Sequence, residues 1–117
     1  MSTQLDFARL KEISNGDDFF LTMLLTKICK SLPEAFANME TQVAAQDWPA
    51  LKSAAHKAKS TFAYLDLTEM RARLQQIEHD AMEGHELDQL PAKVAEAVRD
   101  GRVVLVQLQE ALSNLKK

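Results

Sequence analysis

The sequence predicts an all-α protein, an antiparallel four-helix bundle with an additional short N-terminal helix. Ala, Leu, Glu, Gln, Lys and Met dominate its 117 residues, and only three are Gly and three Pro. Apolar residues recur at alternating spacings of three and four, the helical period, and no stretch alternates with period two. Only a few residues separate the apolar stripes, so successive helices must lie side by side in opposite directions.

Each element follows in turn. Leu5, Leu10 and Ile13 mark the short first helix, which stops before Asn15-Gly16. Asp17 or Asp18 caps a long second helix with the apolar face Leu21, Leu24, Leu25, Ile28, Leu32, Ala35, Met39 and Val43. Pro33 lies inside that run and predicts a kink or a break near Ser31-Leu32. Asp47 opens the third helix, with Pro49 in its first turn, where a missing N–H costs little. Leu51, Ala55, Ala58, Phe62 and Leu65 form its buried stripe. Asp66-Leu67-Thr68-Glu69 reads as an acidic capping box for the fourth helix, with Leu65 and Met70 as a hydrophobic staple. Its stripe is Leu67, Met70, Leu74, Ile77 and Ala81, closed by Gly84. The last helix carries Val94, Val98, Gly101, Leu105, Leu108, Leu112 and Leu115. Gly101 is in phase with that stripe, which makes it a point of close approach inside one long helix and not a stop.

Composition limits the function classes. With 46% hydrophobic and 26% charged residues the chain is globular, and its length suits one domain spanning 1–117. A net charge of −3 argues against a nucleic-acid binder with a broad basic surface. Phe19 to Leu25 falls well short of the roughly 20 apolar residues a membrane span needs. The single Cys29 and the absence of a secretory signal point to a reducing cytoplasm, with Cys29 a small buried or half-buried side chain. The bundle uses every apolar stripe, which predicts a monomer. Phe19, Phe20 and Met23 supply more apolar area than one stripe needs, and core packing is the expected use for it, with a docking face as the alternative.

Phase singles out one histidine. With Leu51 set to zero, the third helix's core stripe lies within about 40°, whereas His56 falls near 140°. It therefore points to solvent from mid-helix. Around it on that face lie Lys52, Ser53, Lys59, Ser60 and Ala63, and no acidic residue occurs from Trp48 to Leu65 although the chain holds 17. Lys57 lies off this face and reads as a solvated lysine. A neutral imidazole nitrogen is a good nucleophile near pH 7, and the lysines can pair with an anion delivered to it, a phosphoryl group being the natural candidate. No carboxylate stands on this helix as a base partner, and a helical face lacks the pocket that Ser/His/Asp hydrolysis requires. The alternative is a solvated face on a non-catalytic helical adaptor that docks a signalling partner without accepting phosphate.

The stretch Ala55-His56-Lys57-Ala58-Lys59-Ser60 resembles the His-x-x-Lys-Gly signature of histidine phosphotransfer (HPt) domains of two-component phosphorelays. The likeness extends to Asp17-Asp18-Phe19, Pro33, the Asp47-Trp48 to Leu51 lead-in and the Leu74 to Ile77-Glu78 run. It implies a four-helix bundle in which His56 is phosphorylated and Lys59 helps hold the phosphoryl group. Lys52, Ser53, Ser60 and Ala63 would then face the partner. The implied partners are response-regulator receiver domains, whose aspartates donate and accept the group, and a hybrid sensor histidine kinase. Mg²⁺ would come from the receiver, and no cofactor would be bound by this chain. Two positions depart from the family pattern: Ser60 stands where the signature has Gly, and Asp66 where a second Gly is frequent.

Nothing else competes strongly. His79 and His85 sit among acidic residues, but no His has Glu three residues before it, as in Glu-x-x-His metal bundles, so a solvated helix end and no metal are expected. The chain has no Gly-rich phosphate loop, which excludes autonomous kinase activity through such a motif.

Overall fold

The computed structural model describes residues 12, 14–65 and 67–115. Four α-helices occur among them: α1 (Asp18–Ala44), α2 (Trp48–Tyr64), α3 (Thr68–Glu83) and α4 (Leu90–Leu115), the last preceded by a 3₁₀ turn at Leu87–Gln89. No strand is present among the described residues. α1 packs on α2 and α4, α2 on α3, and α3 on α4, so the helices close a ring around one core. The expected N-terminal helix at Leu5, Leu10 and Ile13 lies outside the described residues. No described helix is long and apolar enough to cross a membrane.

Local chemistry sets most of the boundaries. Asp17 caps α1, its Oδ1 accepting from the N–H groups of Phe19 (3.0 Å) and Phe20 (3.2 Å). Asp47 caps α2 through a 3.3 Å bond from the Ala50 N–H, with Pro49 in the first turn. Gly84 ends α3 at φ 69°, the left-handed conformation that glycine adopts without a Cβ penalty.

One boundary expectation needs correction. α1 runs through Pro33 without a break, because the apolar face on both sides of it, from Ile28 and Leu32 to Phe36 and Met39, is locked in the core. The residue preceding the first turn of α3 is Leu67, which has no side-chain capping bond, and the expected capping residue Asp66 lies outside the described residues. Leu65 and Met70, the expected staple pair, are both fully buried.

The core confirms the stripes and adds to them. Leu51, Ala55, Ala58, Phe62 and Leu65 are all at most 1% exposed. Phe36, on α1's buried face, joins them and is stacked on Phe62 with ring centroids 6.4 Å apart. Its ring lies against Gly101, where an added Cβ would sit 2.5 Å from Phe36 Cζ. Gly101 is thus the close-approach position that its phase predicted. Phe19 and Met23, by contrast, are 74% and 58% exposed, and Phe20 is exposed as well, so core packing is not their use. Phase explains this: Phe19 and Met23 lie about 160° from Leu21 around the helix.

Candidate functional site

α2 presents His56 as expected. The adjacent Ala55 and the neighbouring Ala58 are buried and fix the helix's inner face, leaving the imidazole 61% exposed on the outer one. Lys52, Ser53, Ser60 and Ala63 are exposed around it. The flanking hydroxyls turn back along the helix: Ser60 Oγ donates to the His56 carbonyl (3.2 Å) and Ser53 Oγ to the Pro49 carbonyl (3.3 Å). Lys57 lies to one side, lining a shallow groove between α1 and α2 with Ser31, Asn38 and Gln42.

The neighbouring helix supplies what α2 lacks. Glu78 of α3 places Oε2 3.1 Å from His56 Nδ1 and 3.1 Å from Lys59 Nζ. One carboxylate thus joins the imidazole and the lysine that sequence had put on one face. Burial pushes the Glu78 carboxyl up, but hydrogen bonds from Lys59 and His56 outweigh it and hold the group below its ordinary range. An ionised carboxylate only accepts, so His56 Nδ1 must carry the proton it donates. The neutral ring then keeps its lone pair on Nε2. Lys59, only 17% exposed at its side chain, is held at both Glu78 oxygens.

Glu78 is the residue of this candidate site that the α2 pattern alone does not reveal. A signal was present: on a wheel with Leu74 at zero, Glu78 falls near 40°, at the edge of the apolar stripe of α3. A carboxylate in that phase must find a partner on the helix it packs against.

The arrangement does not suit a resident Mg²⁺, which prefers carboxylate and phosphate oxygens in octahedral geometry. Among the described residues Glu78 is the one carboxylate bonded to the imidazole, and its oxygens already receive His56 and Lys59.

A second carboxylate on α3 organises the end of the bundle. His79, Glu83, His85 and Glu86 are exposed, as a solvated helix end requires, but Asp80 among them is fully buried. Its Oδ1 accepts from Gln76 (2.8 Å) and lies 3.2 Å from His85 Nδ1, and its Oδ2 accepts from Lys93 (2.8 Å). Asp80, His85 and Glu86 are close enough to share a cation. Lys93, however, bonds both carboxylates, at 2.8 and 2.9 Å, and its ammonium supplies that positive charge. His79 is exposed and takes no part in this cluster.

Burial pushes Asp80 up, but bonds from Lys93, Gln76 and His85 bring it below its ordinary 3.8. A depressed folded value means stability that is full above the unfolded value and is lost as pH falls through the folded one. The melting temperature should therefore hold from neutral pH to near 4.5, the unfolded value of Glu78, and drop below about 4 as Asp80 protonates. Asp80→Asn should flatten that acid limb in a thermal melt series.

A family model, the Hpt domain, matches residues 23–117. The chain belongs to the Hpt domain family. The match covers most of α1 and all of α2, α3 and α4, including His56 on α2 and Glu78 and Asp80 on α3. Comparison with curated proteins and with solved structures gave no match. Hpt domains act in histidine phosphotransfer and meet receiver domains in phosphorelays, which is the chemistry an exposed, proton-fixed imidazole suits.

Proposed function

We propose that this Hpt domain relays a phosphoryl group between aspartates of receiver domains through His56. The observation that carries the reading is the Nδ1 contact with Glu78, which leaves Nε2 as the nucleophilic nitrogen on an exposed helical face. In the accepting step the Nε2 lone pair attacks phosphorus. The phosphorus–oxygen bond of the aspartyl phosphate breaks, and its electron pair leaves on the receiver's carboxylate. The Nδ1 proton stays in place against Glu78, which balances the positive charge developing on the ring. Transfer onward reverses these movements, and a ring still protonated at Nδ1 departs neutral from phosphorus.

Lys59 stands beside the site as the phosphoryl-stabilising residue, anchored through Glu78. Lys52, Ser53, Ser60 and Ala63 form the surface a receiver would cover, and the small side chains among them leave room for a loop. Lys52 favours an acidic partner surface and speeds encounter. We read the helices as antiparallel and residues 1–117 as one domain, working as a cytoplasmic monomer with receivers and a hybrid sensor kinase. Magnesium, as the receiver's ion, would neutralise the transferring oxygens from the partner's side.

The test is incubation with Mg²⁺ and a panel of phosphorylated receivers, reading intact mass before and after acid. The expected result is an acid-labile phosphoryl adduct with at least one receiver, abolished when EDTA removes Mg²⁺. Tight receiver binding without any adduct would favour a docking adaptor instead.

A further inference from the structure

We propose that His85, on the α3–α4 connection, is a second phosphoryl-accepting imidazole. Its surroundings repeat those of His56 in chemistry though not in sequence. At His56, Nδ1 lies 3.1 Å from a carboxylate oxygen of α3 that also holds a lysine at 3.1 Å, and the side chain is 61% exposed. At His85, Nδ1 lies 3.2 Å from a carboxylate of α3 that also holds a lysine at 2.8 Å, and the side chain is 60% exposed. Asp80 is completely buried and is held by Gln76 and Lys93, so its position is set before His85 reaches it. An ionised Asp80 accepts the Nδ1 proton and leaves the lone pair on Nε2, as Glu78 does for His56.

The connection is shaped to deliver this geometry. Gly84 ends the helix at φ 69°, the His85 N–H donates to the Asp80 carbonyl (3.0 Å), and Glu86 follows at φ 52°. A non-glycine residue in that left-handed region is strained. Lys93 bonds Glu86 at 2.9 Å and helps to keep it there. His79, on α3, provides an internal comparison: it is exposed too, but among the described residues no carboxylate pairs with its ring.

The groups against the His85 ring are Asp80 from α3 and Glu86 from the connection, while Gln76 from α3 and Lys93 from α4 bond Asp80 and reach His85 only through it. Glu86 Oε2, 3.8 Å from Nδ1, is a second negative charge with no counterpart at His56 among the described residues. It opposes an incoming dianion, so phosphorylation of His85 should run about ten-fold slower than that of His56. The donor is a small phosphoramidate or acyl phosphate. Nε2 forms a bond to phosphorus, the donor's phosphorus–nitrogen or phosphorus–oxygen bond breaks, and the electron pair leaves with the donor. The Nδ1 proton remains on the ring against Asp80.

The experiment treats the full-length His56→Gln protein with phosphoramidate and maps acid-labile adducts over time by mass spectrometry. We expect phosphoryl uptake at His85 at least about ten-fold faster than at His79, and its loss in the His56→Gln, His85→Gln double variant. Equal rates at His85 and His79, or no adduct at His85, would overturn the proposal. Imidazole ¹⁵N spectra of the folded wild-type protein supply an independent reading. The proton should reside on Nδ1 at His85 and be shared between both nitrogens at His79; an Nε2–H tautomer at His85 would also overturn it. Uptake by wild-type protein at His56 reports separately on the relay reading, so either result stands without the other.

Discussion

The His56→Gln variant is expected to fold like the wild type and to accept no phosphoryl group from any receiver, a loss of at least about 10³-fold. The side chain is 61% exposed and contributes nothing to the core, so unfolding free energy should move by less than about 0.5 kcal/mol. Receiver binding should survive, since the residues around His56 are untouched. Glu78→Gln sharpens the interpretation. It keeps the shape of the side chain but removes the charge that fixes the Nδ1 proton and anchors Lys59. Phosphoryl uptake should fall by about 10- to 100-fold, as it does when a residue that orients a reacting group is lost. Stopped-time phosphotransfer with one receiver, paired with a binding titration, checks both variants. A Glu78→Gln protein with wild-type rates would show that the proton position does not matter.

The largest stability effect is expected at Phe36. It is fully buried, stacks on Phe62 and seats its ring tip against Gly101. Phe36→Ala should cost about 3–5 kcal/mol, because no neighbouring side chain can refill the space between α1, α2 and α4. Gly101→Ala provides the complementary sign test. Helix propensity alone predicts a gain of about 1 kcal/mol from Gly to Ala. The new Cβ would meet a ring that the core does not let move, an overpacking cost of about 1–3 kcal/mol. Net destabilisation in urea melts is the expected outcome. Combining Gly101→Ala with Phe36→Leu should recover part of the loss, since the two positions are in contact and their effects do not add.

Periodicity made most of this fold legible. The stripe Leu51, Ala55, Ala58, Phe62 and Leu65 fixes the inner face of α2 and, by exclusion, the outward direction of His56. Gly101 was readable for the same reason, because a glycine in phase with a core stripe has to admit a neighbour. Phe36 is less legible than Ala35: with Leu21 at zero the two fall about 60° and 40° away on opposite edges of the same stripe, and phase alone does not choose between them. The register of one helix against another lies beyond any single-helix pattern. His56 and Glu78 are 22 residues apart and meet only once α2 and α3 are packed. Asp80 was hidden for a related reason: its partners come from the same helix, the following turn and α4, and no local spacing relates Gln76, His85 and Lys93.

The measurement that bears most directly on the central claim is the site of attachment in the phosphorylated protein. Phosphorus–nitrogen couplings in ¹⁵N-histidine-labelled protein, charged by its receiver, identify both the residue and the ring nitrogen. The account predicts a phosphoryl group on Nε2 of His56 with the Nδ1 proton retained against Glu78. Attachment at Nδ1 of His56, or a receiver-charged phosphoryl group on some other residue with His56 unmodified, would contradict it.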